Sequence, residues 1–231
     1  MPQRFTNYIK YLFLSIVFAG FSSAKAGAFE DFFIAIREDD VASVAQWVQR
    51  GFDPNGVDET GTPALIRAAQ HPSPRVLAWL LAWPKTRVNA QNPAGESALM
   101  LVSLRGDLAS VKALIARDAD VNLPGWTPLH YAASKGHLDV MRELLEASAY
   151  IDAPSPNGTT PLMMAAHYGT FGATKLLLEE GADPTLTNQL GLAARDFAYG
   201  ANHVDSAQLI DAFVQAWQAR HPPAASPAPA D

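Results

Sequence analysis

The sequence predicts an all-α chain of stacked helix–turn–helix units, and three observations carry that reading. Glycines at 61, 95, 125, 158 and 191 recur at spacings of 34, 30, 33 and 33 residues, which is a repeat period. Two of them open nearly the same segment, Gly125-Trp126-Thr127-Pro128-Leu129-His130-Tyr131-Ala132-Ala133 and Gly158-Thr159-Thr160-Pro161-Leu162-Met163-Met164-Ala165-Ala166. Beyond each segment a second run places large apolar residues at helical spacing: Val111, Leu114 and Ile115; Val140, Leu144 and Leu145; Leu176, Leu177 and Leu178.

In chain order, residues 1–26 read as an export signal. Arg4 and Lys10 precede the apolar run from Tyr11 to Phe21, which is short for a membrane span, and Ala24-Lys25-Ala26 has the form of a cleavage site. An uncleaved anchor is the alternative. Residues 28–57 read as a degenerate first unit, with Phe33 and Ile36 on one helix, Val44, Trp47 and Val48 on a second, and Gly51-Phe52-Asp53-Pro54-Asn55 as its turn. Four repeats follow at 58–90, 91–122, 123–153 and 154–187, then a closing unit at 188–217. Residues 218–231, rich in proline and alanine, are expected to be a disordered tail.

Within a repeat, Thr127 and Thr160 are expected to cap the first helix by accepting a backbone amide. Pro128 and Pro161 then occupy the first helical position, where a missing donor costs nothing. The pairs Ala68-Ala69, Ala132-Ala133 and Ala165-Ala166 keep that helix thin enough for close stacking. Gly106, Gly136 and Gly169 are expected to end it in the left-handed region. Pro72 and Pro74 predict an irregular turn in the first full repeat, whose spacing gains a residue near Trp83-Pro84-Lys85-Thr86. Trp79, among Val76, Leu77, Leu80 and Leu81, reads as core, and Trp83 as exposed. The interval from Asn122 to Gly125 is three residues shorter than that from Asp152 to Gly158, so one connecting loop should be truncated beside Trp126.

Composition fits a chain that buries a core, with 48% hydrophobic and 17% charged residues. The net charge is −6, and beyond residue 26 there are 14 cations against 23 acids, which argues against a nucleic-acid ligand. There is no cysteine, so disulfides, thiolate chemistry, cysteine-based zinc sites and a lipoprotein anchor are excluded together. No phosphate-binding glycine loop and no H-E-x-x-H pattern occurs, and acid pairs such as Glu179-Glu180 lie at helix ends, where solvated charge explains them. No enzyme activity is expected.

The segment Thr127-Pro128-Leu129-His130-Tyr131-Ala132 contains the full T-P-L-H-x-A pattern, and with the repeat period it resembles the ankyrin-repeat family. The resemblance covers about 28–217 and departs from the pattern in the closing unit, where Arg195 and Asp196 replace the usual Leu and His. It implies an all-α ankyrin-repeat solenoid of about six units, degenerate caps included, with β-turn fingers between the helix pairs. It also implies a non-catalytic scaffold that binds a partner protein through a concave groove.

Carrying the family's outward-pointing positions onto this chain gives Gln70, His71, Glu96, Leu104, Arg105, Trp126, Ser134, Lys135, Thr159, His167 and Tyr168 as candidate partner-binding residues; Thr62 and Leu192 occupy further finger positions. Trp126 and Tyr168 are the expected anchors, because large amphipathic aromatics dominate interface energetics; for Trp126, folding down over the truncated loop stays open. His130 and His137 sit at positions the family uses structurally. No cofactor, metal, nucleic acid or stable membrane insertion is expected, and the expected form is a periplasmic monomer, with secretion beyond the cell also open. Two alternatives remain. One is a haem- or metal-handling accessory of a periplasmic enzyme such as a catalase, with His71, His167 and Tyr168 as ligands; the other is a secreted effector or immunity protein.

Overall fold

The computed structural model describes residues 27–220. The expected signal, 1–26, and residues 221–231 of the expected tail lie outside the described residues. Two compact units divide the chain between Pro93 and Ala94.

The first unit holds α1 (27–37), α2 (Val41–Gln49), α3 (Ala64–Gln70) and α4 (Pro74–Ala82). Asp40 starts α2 by accepting the Ala42 and Ser43 amides at 3.0 and 3.2 Å, a side-chain cap for otherwise orphaned donors. The degenerate first unit packs through aromatics: Phe32, Phe33 and Ile36 are buried, and Phe52 lies against Phe29, Phe32 and Trp47. As expected, the turn after α3 is irregular. His71 leaves the helix extended, and α4 begins at Pro74. The added residue is absorbed after α4, where the Thr86 amide meets the Trp83 carbonyl and the Thr86 hydroxyl donates to the Leu80 carbonyl. Trp79 is not core. It is half-buried and pairs with exposed Trp83 at 5.8 Å, because the four aliphatic residues of α4 already fill its inner face.

The second unit holds α5 (Ala98–Arg105), α6 (Leu108–Ile115), α7 (Pro128–Lys135), α8 (Leu138–Glu146), α9 (Pro161–Tyr168), α10 (Phe171–Glu179), α11 (Ala194–Gly200) and α12 (Val204–Arg220). The first helices α5, α7, α9 and α11 pack side by side, and the second helices stand behind them. Ala132-Ala133 and Ala165-Ala166 are at most 1% exposed, so α7 and α9 approach each other with little side chain between. Leu99, Leu129 and Leu162 fill equivalent positions at 1% exposure or less, each worth roughly 2–5 kcal/mol against alanine. Of the expected second-helix core, Ile115 and Leu145 are only half-buried, since they sit on the flank between the buried stripe and solvent.

Two expected devices work differently. Thr160 Oγ1 does accept the Met163 amide, at 3.4 Å, but the Thr127 hydroxyl meets His130 Nδ1 at 2.9 Å instead of a backbone donor. Gly106 and Gly136 end their helices at φ 71° and 70°, whereas Gly169 sits at φ −85°. Gly169 answers a different need: a Cβ there would lie 2.4 Å from the Ala133 carbonyl oxygen and 2.8 Å from that of Ala165. Among the described residues no strand forms. Two fingers close through the isolated antiparallel bridges Val57–Pro63 and Thr187–Ala193; no such bridge forms over 119–127, the truncated loop, or over the full-length finger at 151–160. α12 runs to Arg220, past the expected end of the closing unit at 217.

Candidate interaction groove

The site lies in the second unit and is built by its first helices and fingers. At the fourth position of each first-helix segment, counted from the residue that caps it, a side chain reaches back to that residue's amide. Met100 Sδ takes the Ser97 amide, His130 Nδ1 that of Thr127, Met163 Sδ that of Thr160 and Asp196 Oδ2 that of Ala193, at 3.3, 3.1, 3.4 and 2.8 Å. This fixes the entry of every first helix and so the angle of the finger before it. Only His130 has a second ring nitrogen, and its Nε2–H donates to the Thr159 carbonyl at 2.9 Å. The accepting partner fixes the neutral tautomer, and burial pushes the His130 pKa down to about 4.

Trp126 stands edge-on to the His130 ring, with centroids 5.2 Å apart, and is half-buried. It lines an apolar recess of about 250 Å³ with Leu104, Tyr131, Ser134 and Met164, floored by His130. Tyr131 donates its hydroxyl to Glu96 at 3.2 Å; burial first, and then the neighbouring carboxylate, push its pKa to about 12, so the phenol stays neutral. The recess opens into a groove of about 710 Å³ that continues past Lys135 and Tyr168 to Phe197, Leu190 and Leu192. Tyr168 is 63% exposed and Leu190 80%, which leaves an apolar shelf facing solvent.

Of the expected contact residues, Leu104, Trp126, Ser134, Lys135, Thr159 and Tyr168 line this groove together. Ser134 and Thr159 are 8% and 3% exposed, so they contribute wall more than reach. Glu96 stands at the edge through Tyr131. Arg105 is turned to Asp107 at 3.5 Å, and His167 Nδ1–H donates to the Phe197 carbonyl at 3.2 Å. Neither Arg105 nor His167 is among the lining residues. Gln70 and His71 belong to the first unit, where Gln70 Oε1 accepts from Arg67 and the His71 amide bonds the Arg67 carbonyl. Among the described residues no group of three or more His, Asp or Glu is placed to hold a metal ion.

The profile of the family described as "Ankyrin repeats (3 copies)" matches residues 32–125, 65–154 and 99–188. The chain belongs to the ankyrin-repeat family. Relatives include neurogenic locus notch homolog protein 1 of Mus musculus, 34% identical over 126 residues, which covers 53% of this chain and 5% of that protein. A nuclear factor NF-kappa-B subunit of Gallus gallus is 32% identical over 152 residues, 63% of this chain and 16% of that protein. The chain thus spans a small fraction of these relatives' length. A chain in the solved structure of a predatory endopeptidase from Bdellovibrio bacteriovorus in complex with an immunity protein superposes with a TM-score of 0.69 and 28% identity, over 78% of this chain and 96% of that one.

Ankyrin repeats are protein-interaction modules, and the all-α solenoid class read from the sequence is the fold of this chain. Sequence reasoning missed Tyr131, Met164 and Phe197, the apolar side chains between fingers and helix ends. The signal was present: all three fall on the free position of T-P-L-H-x-A, on the face opposite the buried leucine. Among the described residues no helix is long and apolar enough to cross a membrane.

Proposed function

We propose that this ankyrin protein is an exported, periplasmic, non-catalytic scaffold that binds one partner protein through the groove of its second unit. The observation that carries the reading is the mainly apolar groove from Leu104 and Trp126 to Tyr168 and Leu190, in a chain with 23 acids against 17 cations. Such a surface left to solvent is a recognition feature. The export assignment rests on the signal-like residues 1–26.

The test is affinity capture from periplasmic extract with the full chain and with a Trp126→Ala/Tyr168→Ala variant. A specific partner held by the native protein and lost from the variant supports the groove. Equal capture by both removes it.

The solved complex favours one kind of partner. A repeat chain matched over 96% of its length occurs in a complex of an endopeptidase with an immunity protein. An exported hydrolase of the same cell, restrained by this chain, is therefore the partner class to test first. Purified candidate hydrolases should lose activity on titration with the native chain, and undiminished activity at saturation would set this version aside.

A further inference from the structure

The groove carries a charge pattern as well as an apolar one. Among the described residues that line it, Lys135 is the one charged side chain, and no carboxylate is among them. Other cations of the same unit are committed: Arg105 to Asp107, Lys112 to Glu143, Arg142 to Asp139, Lys175 to Glu179 and Arg195 to Asp211. None of the ion pairs formed by the described residues uses Lys135, which is exposed at the end of α7.

The recess beside it offers no charge. Both His130 nitrogens are engaged, by Thr127 and by the Thr159 carbonyl, and the Tyr131 hydroxyl is given to Glu96. At about 250 Å³ the recess by itself has room for one large side chain, and the groove it opens into runs on past it as an extended segment would. Met164 forms one wall, and its flexible thioether adapts to either an aliphatic or an aromatic guest.

Resting on the groove reading above, we infer that the partner docks an extended segment carrying one large apolar residue and, within a few residues of it, a carboxylate. The apolar side chain enters the recess between Trp126 and Met164. The carboxylate meets the Lys135 ammonium, and the shelf of Tyr168 and Leu190 covers the remainder of the segment. Complementary charge of this kind selects among apolar partners and sets register more than it adds affinity.

The probe is a random twelve-residue peptide library displayed on phage and selected on the full chain. The strongest peptide is then synthesised with its acid and with Lys in the acid's place, and measured by fluorescence anisotropy. Selected peptides are expected to pair an aromatic or aliphatic residue with Asp or Glu. Lys135→Glu, an exposed change, should weaken the acidic peptide by about three- to tenfold at low salt and restore the Lys-bearing one, the difference shrinking as salt rises. Selection of basic, proline-only or charge-indifferent peptides, no enrichment at all, or affinities unchanged by Lys135→Glu would each overturn the inference. Peptides that still bind the Trp126→Ala/Tyr168→Ala variant would overturn the groove reading itself. Peptides lost from that variant but blind to charge at 135 would overturn only the carboxylate.

Discussion

The His130 ring joins two repeats: its Nε2–H meets the carbonyl oxygen of Thr159, 29 residues on, at 2.9 Å, while Nδ1 accepts the amide of Thr127. The side chain is fully buried, and protonation of Nδ1 would set a new donor against the Thr127 amide. With a folded pKa near 4 against an ordinary value of 6.5, the unfolded chain binds the extra proton first as pH falls. Stability from this residue is therefore complete above pH 6.5 and declines down to about pH 4, by roughly 3 kcal/mol in all. Urea unfolding at pH 7.5 and pH 5 should show the decline in the native protein. In His130→Gln the decline should be largely absent, and stability at pH 7.5 lower by about 1–3 kcal/mol for the disrupted network. An equal pH slope in both proteins would remove His130 from the account.

Gly169 should tolerate no side chain. The nearest atoms a Cβ would meet are the backbone oxygens of Ala133 and Ala165; relief of the first requires moving α7 away from the end of α9, and relief of the second requires changing the backbone at that end. Gly169→Ala should cost about 1–3 kcal/mol in thermal or urea unfolding, as overpacking does. Gly200→Ala, where a Cβ meets nothing within 4 Å, should be neutral or gain up to about 1 kcal/mol of helix propensity.

In the first unit, Asp58 ties the finger to α3. Burial would raise its pKa, but the Thr60 hydroxyl, Arg67 and the amides of Thr62 and Thr60 bind the ionised form and hold the value at about 2. Arg67→Ala should let the Asp58 pKa climb back toward 3.8, readable by NMR titration, and should cost about 1–3 kcal/mol at neutral pH. An unmoved titration would show that the threonine and backbone donors suffice alone.

Much of the fold was legible because the physics was local. Thr160, Pro161, the alanine pairs and the repeating glycines each state a backbone requirement that holds whatever surrounds them, and the period then states the stack. What failed depended on neighbours. Gly169 does end α9, but in an extended and not a left-handed conformation, and its need for glycine comes from the Ala133 carbonyl in the preceding repeat. The Thr127 hydroxyl was drawn to a ring nitrogen that its counterpart Thr160 lacks, because Met163 stands where His130 does. Trp79 shared a helical run with core residues, but periodicity does not say that four aliphatic side chains already fill the face. At the site, the helix-end positions revealed Lys135 and Tyr168, whereas Met164 and Phe197 needed the neighbouring finger in place to be recognised as one surface.

Photo-crosslinking in living cells addresses the groove most directly. A photoreactive amino acid is placed at Tyr168 in one strain and, in another, at Tyr150, which is 57% exposed on the turn after α8 and lines no part of the groove. Irradiation should yield one discrete heavier adduct from position 168 and none from 150. An adduct from 150 alone, or the same adduct from both, would contradict the groove as the surface that holds the partner.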